Sequence, residues 1–439
     1  MLMATYKAML HLRRIALGVA LMAVIAVASY QAYTSWKLQH QPPPAAPRHT
    51  TVKPKIGPGS IHQIISVTQF TPAAAEAEAK QNYGSEIATS PYGVTRVLFT
   101  YISTGVDNKP IIVYARAYIP NTSKAPVLAM APGTTGVGDQ CAASLEQPAT
   151  HNWANYESHM MAYATQGYAG VITDYEGMRD PGSIHHYMIG TLEGQAVLDS
   201  IRALKVLPQA HNRIDSNAIF AAGYSQGGHA AFWADTLNAS YAPDIHLAGI
   251  IGWGPVMDVS QSLAGITQGS TLDWFGPSVL VSYADYYKVA FPLNNILLPQ
   301  WQPNLTADVL GHCIDTDIAF WGTNPAKVYT PPFLDGLKSG SLPADQFGPL
   351  QAEMQTNQVG SEPTATPKLI NQGQLDNVIL PSQAQSAMTR ICANTRGPAE
   401  LKMYAKTTHY TIMRESFRDT LDWMNHIVRH DGTSPSSCS

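Results

Sequence analysis

Residues 218–228 read AIFAAGYSQGG, and they are the most informative segment of the chain for its fold class. The apolar run Ala218–Gly223 predicts a buried strand, and the pattern Gln226–Asn238 that follows predicts a helix. Between them lies a Gly-x-Ser-x-Gly pattern centred on Ser225, which in a strand–turn–helix context presents a serine hydroxyl above a sheet edge. We therefore predict Ser225 as a nucleophile; the alternative is a glycine-rich turn whose serine only caps the helix.

On either side of this segment, further short apolar runs rich in β-branched and aromatic residues alternate with helical patterns such as Thr191–Leu207. The runs are Arg96–Ile102, Ile111–Ile119, Pro126–Ala131, Gly170–Asp174, Leu247–Trp253, Lys368–Asn371 and Leu401–Ala405. The later runs are continuous, which is typical of strands covered on both faces. Strands that alternate with helices predict an α/β fold with a mostly parallel central sheet flanked by helices.

The alternation fails between residues 255 and 363, a stretch rich in proline and aromatic residues. Its bulky members include Trp274, Phe275, Tyr283, Tyr286, Tyr287, Phe291, Trp301, Phe320 and Trp321. The length and aromatic content favour a helical cap or lid inserted into the core, rather than an ordinary variable connection. The predicted core is then 59–254 together with 364–439, and 255–363 is the predicted cap.

The N-terminal 40 residues have the pattern of a targeting segment. Lys7, Arg13 and Arg14 precede the uncharged apolar run Ile15–Tyr30. A run of about 16 residues lies between the lengths of a signal-peptide core and a membrane span. Cleavage after Ala28 and retention as a membrane anchor through residues 15–30 both stay open. Either predicts export from the cytoplasm, and residues 41–58 read as a Pro-rich linker.

Composition excludes several classes of protein. Apolar residues make up 45% of the 439 residues, charged residues make up 13%, and the net charge is −4. These values argue against a disordered chain and give no basic surface for nucleic acid. The four cysteines fit two disulfides in an exported protein, and the residues alone allow three pairings. They lack the spacing of a zinc or redox motif, and no cofactor or metal is predicted.

A serine nucleophile needs a general base and a carboxylate that orients it, in the chain order Ser, acid, His. His409 follows the late strand Leu401–Ala405 and is the predicted base, whereas His426 and His430 follow a predicted terminal helix. The predicted acid is Asp376, which follows the strand beginning at Lys368 and a glycine turn. The alternatives for the acid are Asp335 and Asp345, both in the predicted cap.

An oxyanion hole needs two N–H donors, one of them from the residue after the nucleophile. That residue is Gln226, and the second predicted donor is the backbone N–H of Thr134, with Thr135 as the alternative. His229 lies one helical turn after the serine and is predicted to be structural. The carboxylates of Asp174 and Glu176 are predicted to brace nearby loops.

Several of these motifs together resemble the secretory lipase family over residues 60–430. They are Pro132–Gly136 followed by Cys141-Ala142, Asp174–Gly177, Gly223–His229, Gly373–Asp376 and Thr408-His409. The resemblance implies an α/β-hydrolase core, a helical cap over an acyl tunnel, and cofactor-free esterase or lipase activity. It also implies the disulfides Cys141–Cys313 and Cys392–Cys438. Ala143 departs from the proline common in the family, which affects the expected shape of that loop.

The expected chemistry is hydrolysis of lipid-like acyl esters through an acyl-enzyme formed on Ser225. Within enzymes, the alternatives are acyl transfer to an alcohol and a short-chain carboxylesterase. The alternative from another class is a binding module that keeps the fold without catalysis. A binding module of this kind usually lacks a triad member, and here Ser225, Asp376 and His409 occur in the expected order.

Overall fold

The computed structural model of the chain describes residues 57–147, 152–432 and 434–438. The predicted signal peptide or anchor (1–40) and the predicted linker, apart from its last two residues, lie outside the described residues. Within the described ranges, no helix is both long enough and apolar enough to cross a membrane.

The described strands form one mixed sheet in the order β1-β2-β3-β5-β4-β6-β7-β8-β9. They are β1 (Ile61–Phe70), β2 (Val94–Thr104), β3 (Pro110–Pro120), β4 (Ala125–Ala131), β5 (Ala169–Thr173), β6 (Ile214–Tyr224), β7 (Leu247–Trp253), β8 (Lys368–Gly373) and β9 (Ala399–Tyr404). The pairs β1–β2, β2–β3 and β3–β5 are antiparallel, and the remaining five pairs are parallel. The predicted α/β class with a mostly parallel sheet is confirmed.

Helices cover both faces of this sheet. The α-helices are α1 (Pro72–Tyr83), α2 (Tyr156–Thr165), α3 (Gly190–Val206), α4 (Gln226–Tyr241), α5 (Val259–Gly265), α6 (Phe275–Tyr287), α7 (Leu293–Ile296), α8 (Leu305–Leu310), α9 (Ile314–Trp321), α10 (Pro331–Ser339), α11 (Ala344–Thr356), α12 (Pro381–Asn394), α13 (Ile412–Glu415) and α14 (Phe417–Arg429). In β4, Val127 and Ala129 pack in the cluster that holds α3, α4 and α12, whereas Leu128 and Met130 pack with α1, α2 and α14. Alternate side chains thus serve opposite layers, which explains the continuous apolar run.

The chain between β7 and β8 contains α5 to α11 and no strand of the main sheet. These helices share an apolar cluster that includes Trp274, Phe275, Tyr329, Phe333 and Phe347. The same cluster includes core residues from the loops after β5 and β8. The helical segment therefore packs onto one end of the sheet, where the loops that carry the predicted site residues lie, and we refer to it as the cap.

Two disulfides tie distant segments together. Cys141, in the loop after β4, is bonded to Cys313 at the start of α9. Cys392 in α12 is bonded to Cys438 near the C-terminus. These are the two pairings that the family resemblance implies. The first of them joins the core to the cap beside the predicted oxyanion loop.

Candidate active site

Ser225 lies at a strained turn between β6 and α4. Its backbone has φ 55° and ψ −117°, a region that residues with a side chain rarely adopt. A Cβ at Gly223 would collide with the backbone of Gly227, and a Cβ at Gly227 would collide with the carbonyl of Ala131. The turn thus requires both glycines of the sequence pattern, and it leaves the serine side chain at the end of the sheet.

The predicted acid and base form a buried pair. His409 Nδ1 lies 2.8 Å from Asp376 Oδ2, and both residues are 3% exposed. The other carboxylate oxygen accepts from the backbone N–H groups of Val378 and Ile379, at 2.9 Å each. Gln372 Nε2 donates to Oδ2 at 3.0 Å. With a proton on Nδ1 held by the carboxylate, Nε2 of His409 is the nitrogen left to accept a proton.

Two glycines make room for this pair. Gly254 has φ +49°, and a Cβ there would lie 3.0 Å from His409 Nδ1 and 3.1 Å from Asp376 Oδ2. A Cβ at Gly373 would collide with the carbonyl of Thr407 in the loop that carries the base. Our sequence reasoning missed Gly254 as a site residue. Its position directly after a predicted strand was the available signal.

Ser225 and His409 line one cavity of about 270 Å³ between the core and the cap. The other lining residues are Thr134, Asn152, Trp153, Tyr187, Tyr224, Val256, Thr271, Leu272, Trp274, Phe275, Ile314, Asp315, Ile318, Val378, Ile379 and Tyr410. Most of these side chains are apolar or aromatic. No hydrogen bond joins Ser225 to His409 within the described structure, and such bonds often tighten only when a substrate binds.

Of the two predicted oxyanion donors, Thr134 lines this cavity, and Gln226 directly follows Ser225, which also lines it. Gln226 is the first residue of α4, where backbone N–H groups have no partner inside the helix. Thr134 lines the cavity, and its hydroxyl lies 2.8 Å from the Tyr187 hydroxyl. Neither backbone N–H donates to another group in the described part of the chain. Thr135, the alternative, is buried, and its carbonyl accepts from the N–H of Ile314 in the cap at 2.9 Å.

The other predicted acids and bases do not line the cavity. Asp335 and Asp345 are exposed on the cap helices α10 and α11. His426 lies on α14, and His430 directly follows that helix. The structure thus brings Ser225, Asp376 and His409 to one place and leaves these four alternatives elsewhere.

The remaining polar residues singled out in the sequence belong to buried networks around the site. Asp174 accepts from the backbone N–H of Ser144 at 2.7 Å, and burial raises the pKa of its carboxyl. Glu176 Oε2 lies 2.6 Å from Nδ1 of His186. His229 Nδ1 lies 2.6 Å from Oε2 of Glu193, a residue that our sequence reasoning missed. None of these residues lines the cavity that holds the serine.

A family model described as "Secretory lipase" matches residues 147–437. The chain belongs to the secretory lipase family. Lipase 5 of Candida albicans is 32% identical over 173 residues, which is 38% of this chain and 35% of that protein. The chain spans about a fifth to a third of the length of the curated relatives it matches, for example 21% and 24% of two of them.

Solved structures show the fold of this member of the secretory lipase family. The rice cell wall degrading esterase LipA from Xanthomonas oryzae superposes with a TM-score of 0.64 at 19% identity, covering 85% of this chain and 97% of that chain. Candida antarctica lipase A in its closed state gives a TM-score of 0.61 at 19% identity, covering 87% and 84%. The fold is that of the α/β-hydrolase lipases and esterases, as the resemblance implies.

Proposed function

We propose that this chain is a serine esterase or lipase that hydrolyses carboxylic esters through an acyl-enzyme intermediate. One observation carries the proposal: His409, which is paired with the buried Asp376, lines the same mainly apolar cavity as Ser225, and Ser225 sits in a strained turn. A nucleophile, a base and a group that orients the base are the elements that acyl transfer requires.

In the proposed mechanism, the Ser225 hydroxyl oxygen attacks the ester carbonyl carbon while His409 Nε2 takes the hydroxyl proton. The carbonyl oxygen becomes an oxyanion, which accepts hydrogen bonds from the backbone N–H groups of Gln226 and Thr134. The C–O bond to the alcohol then breaks, and His409 returns the proton to the leaving alkoxide. Water then attacks the acyl-enzyme carbonyl through the same steps, which releases the acid and restores the serine.

Three observations support a neutral, lipid-like substrate and an exported protein. Among the described residues, the cavity lining contains no lysine or arginine and is mainly apolar. Relatives matched in part are named lipases, including a secreted triacylglycerol lipase of Malassezia furfur. The two disulfides fit an oxidising compartment. We infer an extracytoplasmic enzyme that acts on acyl esters.

Covalent labelling and turnover test this proposal together. We expect a fluorophosphonate to label the wild-type chain at Ser225, and Ser225→Ala to lower kcat on p-nitrophenyl esters about 10⁴-fold or more. Ser200→Ala is the matched control, because Ser200 is buried and bonds to the carbonyl of Val197 in α3. Near wild-type turnover by Ser225→Ala would reject the nucleophile. A wild-type chain with neither label nor turnover would favour a binding module.

A further inference from the structure

Only two residues in the first turn of α4 have side chains that can position it. Positions 227 and 228 require glycine, because a Cβ at 227 would collide with the backbone of Ala131 and a Cβ at 228 would collide with Pro255. Only Gln226 and His229 offer side chains in this turn, and residues three apart in a helix lie on the same face. Any side-chain contact that positions this turn must therefore involve these two residues.

One buried carboxylate holds both side chains. Glu193 of α3 is 1% exposed. Its Oε1 accepts from Gln226 Nε2 at 2.7 Å, and its Oε2 lies 2.6 Å from His229 Nδ1. Oε1 also accepts from the backbone N–H of Met188 at 3.0 Å, which fixes the carboxylate. Glu193 thus connects the loop before α3 to both of these side chains in the first turn of α4.

Neighbouring groups complete the arrangement. Burial lowers the pKa of His185, so its ring is neutral at neutral pH. Its Nδ1–H donates to the carbonyl of Glu176 at 3.0 Å, which leaves Nε2 to accept from Gln226 Nε2 at 2.7 Å. His229 Nε2 lies 2.7 Å from the carbonyl oxygen of Asn357 and 3.1 Å from Trp233 Nε1. Both amide hydrogens of Gln226 therefore have fixed acceptors, one on Glu193 and one on His185.

We propose that Glu193 is a positioning residue for the oxyanion hole, acting through the side chain of Gln226. The assignment rests on the proposed function, in which the backbone N–H of Gln226 stabilises the oxyanion. Gln226 directly follows the strained Ser225, so its N–H direction depends on how the first turn is held. A displacement of a catalytic group by about 1 Å can cost about 10²-fold in rate. Contacts that position this turn therefore affect the rate of catalysis.

A second carboxylate on the same helix allows the catalytic effect to be separated from a structural one. Asp199 of α3 is fully buried and accepts from Ser103 at 2.8 Å, from Tyr241 at 2.6 Å and from Arg202 at 3.0 Å. It has as many partners as Glu193 but contacts neither the first turn of α4 nor the cavity. Its removal should destabilise the α3 packing without changing the oxyanion hole.

The experiment compares Glu193→Met, Glu193→Gln, Gln226→Met and Asp199→Leu in the full exported chain. The measurements are melting temperature, kcat and KM on p-nitrophenyl butyrate, and Ki for an aryl trifluoromethyl ketone, which forms an oxyanion adduct. We expect Glu193→Met and Gln226→Met to lower kcat about 10–100-fold with little change in KM, since removing a whole donor costs about 10²–10³-fold. Ki should rise in the same proportion.

Glu193→Gln should recover kcat to within a few fold of wild type. Its amide oxygen can still accept from Gln226, and its NH₂ group lies within reach of Nδ1 of His229. Asp199→Leu should lower the melting temperature and leave kcat and Ki unchanged. If Glu193→Met does not fold, Gln226→Met decides the question, because it removes the anchor and keeps the backbone N–H.

Two results would overturn the assignment. Wild-type kcat and Ki in folded Gln226→Met and Glu193→Met would show that Glu193 is only structural. Failure of the wild-type chain to hydrolyse any ester or to react with a fluorophosphonate would reject the proposed function and this assignment with it. The wild-type control thus distinguishes the two failures.

Discussion

At the scale of single residues, Asp376 is the most constrained group of the candidate site. Its two oxygens accept four hydrogen bonds, from two backbone N–H groups, Gln372 and His409. Three of these donors cannot accept in return, so the orientation of the carboxylate is fixed before His409 is considered. A base held by such a group keeps one tautomer, with its proton on Nδ1.

We predict that Asp376→Asn lowers kcat about 10⁴-fold while the fold survives, because an amide NH₂ facing His409 Nδ1 favours the wrong tautomer. Asp335→Asn and Asp345→Asn change exposed carboxylates on cap helices and should leave kcat within about twofold. Steady-state kinetics and circular dichroism of the three variants provide the check. Loss of activity in either cap variant, with Asp376→Asn active, would exclude Asp376 as the acid.

Some residues of the candidate site could be predicted from the sequence, and others could not. Ser225 and His409 could be proposed from the sequence because the roles predicted for them depend on a local turn motif and on chain order. Gly254 and Gln372 could not, since their importance depends on which loops meet in three dimensions. Glu193 lies within a predicted helix, where its sequence gives no sign of the turn it contacts.

At the scale of elements, β1 and α2 were not predicted from the sequence, because neither has a periodic pattern of apolar and polar residues. The edge strand β1 is largely exposed and shows no regular alternation, so its sequence carries no strand pattern. Helix α2 is buried along its whole length and has no polar face, so its sequence carries no helical stripe. By contrast, β7 (Leu247–Trp253) was predicted with its observed bounds, because a strand covered on both faces forms a continuous apolar run.

The cap element supports a prediction about acyl-chain selectivity. Phe275 begins α6, is fully buried and lines the cavity that holds Ser225. Phe275→Leu should enlarge the acyl site and shift kcat/KM toward longer p-nitrophenyl esters, at about 1–3 kcal/mol per methylene newly accommodated. Phe333→Leu is the matched control, because Phe333 is equally buried in the cap but packs on Tyr329 and Phe347.

The result depends on the ratio of kcat/KM values across a series from acetate to laurate. A shift in Phe275→Leu that Phe333→Leu lacks would support the cavity as the acyl site. An identical profile for both variants and wild type would mean that the acyl chain binds elsewhere, and the role proposed for the cap would be wrong.

At the scale of the whole molecule, the cap is joined to the core at several separate points. The Cys141–Cys313 disulfide is one, and the bond from His229 to the carbonyl of Asn357 is another. A third is His186, from the loop after β5, whose Nε2 lies 2.9 Å from Asp285 of α6. The prediction of a cap rests on composition, and that of the disulfide rests on family resemblance. The polar links depend on tertiary contacts and could not be predicted.

The third link is sensitive to pH. Burial alone lowers the pKa of His186, but hydrogen bonds and charges from Glu176 and Asp285 outweigh burial and raise the pKa above its ordinary value of 6.5. Burial of Asp285 raises the pKa of its carboxyl, but His186 and Lys288 outweigh burial and lower that pKa. Lys288 Nζ lies 3.2 Å from this carboxylate. The aromatic ring of Tyr286 packs edge-on against His186. The imidazolium form therefore has a carboxylate on each side.

Because the folded-state pKa of His186 is raised, its contribution to stability is complete below pH 6.5 and is lost as pH rises through the raised value. We predict that His186→Gln lowers the free energy of unfolding by up to about 1 kcal/mol at pH 6 and by clearly less at pH 9, the scale expected for a partly exposed charge pair. Denaturant melts at both pH values measure the difference. His211→Gln, at an exposed position, should show no such pH dependence. An equal loss at both pH values in His186→Gln would mean that the link between core and cap acts through packing and neutral hydrogen bonds rather than through charge.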